Sequence, residues 1–374
     1  MDPLQDAPSI KLYPILAPFA WLYGMIIWIR NRLYDWHILP SESFDIPVIS
    51  VGNITVGGTG KTPHVEYLIR MLSEASYRIA VLSRGYGRHT RGFHEVKMTS
   101  TAREVGDEPL QIKHKFPDIT VAVDANRRRG IRKLEAMQGI DIVLLDDAYQ
   151  HRSVIPAVSI LLTNYERMIY KDKIMPMGRL RESIDEKHRA HMVIVTKCPK
   201  DLRPIDYRIL GKYLCLFPYQ NLFYTGLQYD ELQPVFVTEN VERISLERFC
   251  NEPGEVLIVT GISSPQQLTE HIGEYTFRTR LWEFGDHHEF SEHDLERIEE
   301  WVTYATEAGE KGYVLITEKD AARLINNPAV SPILRRHLYY LPLHIHFLLD
   351  QKGTFDKQLK EAITRFRCNV SQKK

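Results

Sequence analysis

Residues 51–62 read Val-Gly-Asn-Ile-Thr-Val-Gly-Gly-Thr-Gly-Lys-Thr, and no other stretch of the chain restricts its fold so tightly. An apolar run, Val48–Val51, leads in, and a helical pattern over Pro63–Ala75 leads out. The segment therefore reads as a glycine-rich turn from a buried strand into a helix, which is the context of a phosphate loop. Glycines let the backbone wrap an anion with its amides inward, and the helix N-terminus adds a favourable dipole. Phosphate contacts are expected from Thr55, Val56, Gly57, Gly58, Thr59, Gly60, Lys61 and Thr62. Lys61 is placed to follow the β- and γ-phosphates, and Thr62 to offer its hydroxyl to Mg²⁺. The first glycine usual in such a loop is Thr55 here.

The rest of the chain fits a sheet built around that loop. Apolar runs at Ile79–Leu82, Ile119–Val123, Ile142–Leu145, Val158–Leu162 and Val193–Thr196 read as buried parallel strands, with helices between several of them. This alternation defines an α/β class, a P-loop NTPase-type layered parallel sheet. A second strand–helix series from Val256 to Leu349 predicts a smaller C-terminal α/β lobe, joined by a hairpin-like linker. The expected division is 1–32 as an N-terminal membrane-associated apolar helix, 33–226 as the P-loop kinase core, 227–240 as the linker hairpin and 241–374 as the C-terminal α/β lobe.

The N-terminal run Leu12–Ile29 carries no charge. As a helix its 18 residues would span about 27 Å, close to the hydrocarbon core of a bilayer. Trp21, Tyr23 and Trp28 favour a membrane interface, and Arg30 and Arg32 follow at once. Membrane contact, in the interface or dipping in, competes with a helix packed on a soluble core. Lys plus Arg equals Asp plus Glu at 48 each, so no net field advertises nucleic acid. Cys198, Cys215, Cys250 and Cys368 form no C-x-x-C pair, which leaves a zinc site or disulfide framework without support.

Other motifs cluster after predicted strands. Ile142–Leu145 ends in Asp146 and Asp147, which puts acids at the sheet edge beside the phosphate loop, where Mg²⁺ would be held. Three polar, glycine-containing islands follow strands: Ser83–Arg88 with Arg84, Tyr86 and Arg88; Gly106–Pro109 with Asp107 and Glu108; and Gly178–Glu182 with Arg179, Arg181 and Glu182. Ligand-binding loops sit beyond strand ends in α/β sheets. The residues alone leave plainer readings open: Asp107 as a helix cap, Arg181 with Glu182 as a solvated pair, Arg84 and Arg88 as surface charge. The Asp286-His287-His288 cluster could serve proton transfer or be an ordinary loop, and Thr317-Glu318-Lys319-Asp320 could cap a helix.

Taken together and in order, VGNITVGGTGKTP, SRGYGR, GDEP, DDAYQHR, GRLRE, DHH and TEKDA resemble the tetraacyldisaccharide 4′-kinase family, over most of residues 10–350. The resemblance implies ATP- and Mg²⁺-dependent phosphorylation of a lipid-linked disaccharide at the inner membrane surface. It also implies two lobes with a two-stranded connection. Asp107 would accept the proton of the sugar 4′-hydroxyl with His287 paired to it. Lys61 and Arg181 would stabilise the transferring phosphoryl, and Thr62, Glu108, Asp146 and Asp147 would serve Mg²⁺. Thr55 belongs to the family's own pattern, whereas Ala148 stands where the family more often has glycine. A kinase for a soluble acceptor and a nucleotide switch are the rival readings. The switch lacks an N-K-x-D base-reading motif, of which Thr196-Lys197-Cys198 is at best a remnant.

Overall fold

A computed structural model describes residues 10–237, 244–252, 254–261, 266–276, 278–285 and 288–372. The strands are β1 (Val48–Asn53), β2 (Ile79–Ser83), β3 (His94–Glu95), β4 (Thr120–Val123), β5 (Ile142–Asp146), β6 (Val158–Asn164), β7 (Met192–Thr196), β8 (Asn221–Tyr229), β9 (Gln233–Pro234), β10 (Val256–Thr260), β11 (Thr279–Glu283), β12 (Val314–Ile316), β13 (Leu338–Tyr340) and β14 (Leu343–Phe347). Nine form one sheet in the order β14-β8-β7-β6-β1-β5-β2-β4-β3, and five form a second in the order β11-β10-β12-β13-β9. Pairing is parallel except at β3–β4, β14–β8 and β13–β9. β1, β2, β5 and β7 are buried along their whole length, as expected of apolar strands covered on both faces.

The helices that matter for the site are α1 (Ala17–Asp35), α2 (Lys61–Glu74), α3 (Asp107–Lys115), α4 (Arg127–Ala136), α5 (Glu292–Glu307), α6 (Glu318–Leu324) and α7 (Lys352–Ser371). Val65, Leu68, Ile69 and Leu72 of α2 enter the same core as Ile49, Ile142 and Ile160 of the sheet. Ile131 and Leu134 of α4 pack with Ala80, Leu82 and Val143 in a separate cluster. α1 begins at Ala17, behind a single 3₁₀ turn at Pro14–Leu16, with Pro18 in its first turn, where a missing N–H costs nothing.

The expected boundary of the second lobe is corrected at its C-terminal end. After β13 the chain returns to the larger sheet, where β14 lies antiparallel to β8 from Leu343↔Tyr229 to Phe347↔Thr225. Phe355, Leu359 and Ile363 then form a stripe on α7 buried in the core of the larger sheet. Each contributes about 2 kcal/mol of apolar burial, which holds 343–372 to the larger lobe. The expected linker is corrected too: 227–229 still belong to β8, and the outgoing crossing is Asp230–Leu232; residues 238–240 lie outside the described set.

The lobes meet along α3. Lys115, its last residue, lies 2.6 Å from Glu66 of α2 and 2.5 Å from Glu318 of α6. Glu66 is almost completely buried and also draws on Arg70 and Gln111. Lys115→Met should therefore cost about 3 kcal/mol in urea unfolding, because it strands a buried carboxylate with weaker partners. Unfolding indistinguishable from the unchanged chain would show that Glu66 is protonated in the fold.

Candidate active site

The phosphate loop is held from inside and from outside. Asn53, ending β1, donates its side-chain amide to Thr59 Oγ1 at 2.6 Å, and Thr196, ending β7, donates to the Thr59 carbonyl at 3.0 Å. Thr59 is buried, so its side chain braces the loop. On the outer edge the Val56 amide donates to Arg179 O (2.9 Å) and the Arg181 amide to Ile54 O (2.7 Å), with Thr55 bridged to Leu180. The Gly178–Glu182 island is thus sewn to a loop more than 120 residues earlier, and that seam delivers two arginines to the phosphate end of the sheet. Gly52 allows a further close approach: a Cβ there would lie 2.8 Å from the Tyr149 backbone nitrogen. His64, which the sequence did not single out, links the Gly60 carbonyl (2.7 Å) to Thr225 (3.0 Å); burial pushes its imidazole down to about 4 and keeps it neutral.

Charge converges beside this loop. Lys61 Nζ lies 3.5 Å from Asp147 Oδ1, and Arg181 Nη1 lies 3.2 Å from Asp147 Oδ2. Burial pushes the Asp147 carboxyl up, but Lys61 and Arg181 together hold it below the usual range. Asp147 takes the left-handed conformation at this turn (φ 47°), and Ala148 does not. That is the physical reason alanine is accepted there. Asp146 is the opposite case: burial first, then Glu108 and Asp147, raise its carboxyl to about 7. Its Oδ1 is buried with no hydrogen-bond partner among the described residues. An orphaned acceptor in a corner shared with Glu108, Asp147 and Lys61 fits a hydrated divalent cation. No group of three His, Cys, Asp or Glu among the described residues would by itself cage a metal.

Arg127 is the main residue the sequence reading missed. It opens α4 inside the run Arg127-Arg128-Arg129, and nothing in the run marks which guanidinium turns inward. Arg127 does, donating to Asp146 O at 3.3 Å, with burial lowering it to about 10. His151, in the same corner, is pushed down to about 4 by burial, then by Arg127 and Arg84.

The Arg84 loop meets the Asp107 helix through glycine. At Gly106 (φ 91°) a Cβ would come within 2.9 Å of Tyr86 O and 3.1 Å of Gly85 Cα. Arg84 and Tyr86 are exposed at this rim, as is Arg179 on the other side. Arg88 instead turns back onto the Gly92 and Val123 carbonyls. Glu182, expected to face a ligand, is corrected: it is 1% exposed and its two carboxylate oxygens bind Arg30 and Arg189. Asp107 is not a helix cap. The N-cap position is Gly106, and the Asp107 carboxylate lies 2.7 Å from Arg323 of the smaller lobe. His287 lies outside the described residues. His288 packs on Phe284 and bonds Asp294 at 3.0 Å.

α1 is part of the site's frame. Tyr23 donates to the Arg181 carbonyl at 3.1 Å, and Arg30 reaches Glu182 at 2.8 Å. Its other face leaves Phe19, Trp21, Ile26, Trp28 and Ile29 exposed, as is Ile15 in the turn before it. No helix among the described residues is long and apolar enough to cross a membrane.

A parallel sheet with a Gly-Lys-Thr loop at its centre, an acid pair on the adjacent strand and two cations on one carboxylate define a P-loop kinase. The family model for tetraacyldisaccharide-1-P 4′-kinase matches residues 12–364, and the chain belongs to that family. The tetraacyldisaccharide 4′-kinase of Bacteroides thetaiotaomicron is 46% identical over 95% of this chain and 94% of its own length. That of Porphyromonas gingivalis is 42% identical over 96% and 99%. The crystal structure of Aquifex aeolicus LpxK in complex with ATP matches with a TM-score of 0.71 at 27% identity, over 94% of this chain and 98% of that one.

Proposed function

We propose that the chain transfers the γ-phosphoryl group of ATP to the 4′-hydroxyl of a tetraacylated glucosamine disaccharide 1-phosphate, a step of lipid A biosynthesis. The observation that carries this is Asp147 holding Lys61 and Arg181 together at the phosphate loop of a member of this family. Asp147 brings Lys61 and Arg181 to one point at the loop, from which both cations would reach the γ-phosphate of ATP. The Val56 and Thr59 amides are already engaged by protein carbonyls, so the remaining loop amides would cradle the phosphates.

Thr62, Glu108, Asp146 and Asp147 would hold Mg²⁺, which supplies charge neutralisation across the β- and γ-phosphates. Lys61 and Arg181 stabilise charge on the transferring group. The acceptor oxygen bonds to γ-phosphorus as the bond to the β–γ bridging oxygen breaks, and Asp107, paired with His287, takes the hydroxyl proton. Arg84, Tyr86 and Arg179 contact the disaccharide phosphate and hydroxyls at the rim; Arg88 supports the loop that carries Arg84 and Tyr86. Purified chain with ATP, Mg²⁺ and the tetraacyl disaccharide 1-phosphate should yield a product heavier by one phosphate. ADP release without that product would favour a nucleotide switch.

The acceptor's acyl chains lie in a bilayer, and α1 lies beside the site with an aromatic, apolar outer face. The helix would rest in the interface of the cytoplasmic leaflet and hold the site at headgroup depth. Deleting it would also remove the Tyr23 contact to Arg181, so surface substitution is the cleaner test. Phe19→Ser/Trp21→Ser/Ile26→Ser should abolish flotation with anionic vesicles and keep turnover on detergent-dispersed acceptor. Undiminished flotation would place the membrane contact on another face.

A further inference from the structure

The Thr317–Leu324 segment, which the chemistry above leaves unused, is an ordered relay. Thr317 caps α6 by accepting from the Asp320 amide at 3.2 Å. Asp320 is fully buried; its Oδ2 accepts from Gly261 N at 3.1 Å and from Thr317 Oγ1 at 2.6 Å. Its Oδ1 accepts from Arg323 Nη1 at 2.7 Å. The guanidinium is therefore fixed within its own lobe by one nitrogen. The other, Nη2, crosses the junction to Asp107 Oδ2 at 2.7 Å. The Arg323 side chain is 5% exposed and that of Asp107 12%. A planar guanidinium bound on one edge leaves little freedom to the carboxylate on its other edge. Glu318, at the start of α6, meets Lys115 at the far end of α3. The smaller lobe thus grips the Asp107 helix at its first and last residues.

We propose that Arg323 is a positioning residue for phosphoryl transfer: from the opposite lobe it orients the Asp107 carboxylate toward the acceptor hydroxyl, so that alignment of the base depends on docking of α6. The inference rests on the reading of Asp107 as proton acceptor. Arg323 contributes orientation, and Asp107 remains the group that meets the substrate. A misaimed carboxylate would slow the chemical step while ATP binding at the loop of the larger lobe stays as it was.

The test is steady-state kinetics of the full chain with ATP, Mg²⁺ and the tetraacyl disaccharide 1-phosphate. Arg323→Ala should lower kcat about 10²-fold, the scale of a small misplacement of a reacting group. Its KM for ATP should stay within about twofold, as expected when no nucleotide contact is lost. Arg323→Lys, which keeps the charge but not the two-edged fork, should recover only part of the loss. Asp107→Ala/Arg323→Ala should be no slower than Asp107→Ala alone, because the two act as a unit. Glu318→Gln, which weakens a different cross-lobe contact, should cost far less kcat than Arg323→Ala. If Arg323→Ala does not fold, Arg323→Gln against Arg323→Lys makes the comparison, with Gln the slower. Losses that multiply with Asp107→Ala, or equal losses in Glu318→Gln and Arg323→Ala, would reduce Arg323 to general lobe docking and overturn the inference. Wild-type turnover in Asp107→Ala would instead remove the reading of Asp107, and this inference with it.

Discussion

Replacing Lys61 by alanine is expected to lower kcat by about 10³-fold or more, the scale seen when one donor to developing charge is removed from a preorganised site. The ammonium sits in the first turn of α2, 3.5 Å from the carboxylate that holds its place. Its side chain is only 13% exposed, in a corner where charge is weakly screened. Asp147 would keep Arg181 as a partner, so the change should not unfold the chain. Thermal unfolding should therefore match the parent while product formation is nearly lost. A well-folded Lys61→Ala protein with parental turnover would remove the phosphate-loop reading altogether.

The second large effect is expected at Asp107 and His287. Alanine at Asp107 should lower kcat by about 10²- to 10⁴-fold, the range of general acid–base catalysis. ATP affinity should change little, since Asp107 lies on α3 and not on the phosphate loop. If the two side chains act as a coupled pair, Asp107→Ala/His287→Ala should be hardly slower than the poorer single variant. Single-turnover rates for the four proteins would decide it. Losses that multiply would show two independent residues, and the pairing would have to be given up. The Arg323 proposal adds a constraint: on that reading Asp107 is oriented from the smaller lobe through the 2.7 Å contact to Arg323.

The larger sheet was legible because its strands are buried on both faces. Val48–Val51, Ile142–Leu145 and Val158–Leu162 are continuous apolar runs that need no partner information to be recognised. The phosphate loop was legible because Gly60 marks a local left-handed turn that glycine meets readily, whereas the crowding at Gly52 comes from Tyr149 far along the chain. The return of β14 and α7 to the larger lobe was not legible. Leu343–Phe347 has no feature that chooses between two sheets, and the choice is made by pairing with β8 and by burial of Phe355, Leu359 and Ile363. Glu182 shows the same limit at the site. The Gly-Arg-Leu-Arg-Glu island offers Arg179, Arg181 and Glu182 for ligand contact, yet only the packing of α1 and Arg189 turns its last residue inward.

The sequence by itself determined the chemistry at the strand ends: a lysine and threonine opening a helix after a glycine turn, and two aspartates closing the neighbouring strand. Those are short-range facts, written in residues that are adjacent in the chain. Tertiary structure alone decided which charges meet. It brought Arg181 to Asp147 through a backbone seam with the loop, buried Arg127 and left its neighbours outside, and set Arg323 against Asp107 across 216 positions of sequence. Long side chains of one sign look alike in a sequence. Only the burial of one partner beside the other gives the pair its strength and its direction.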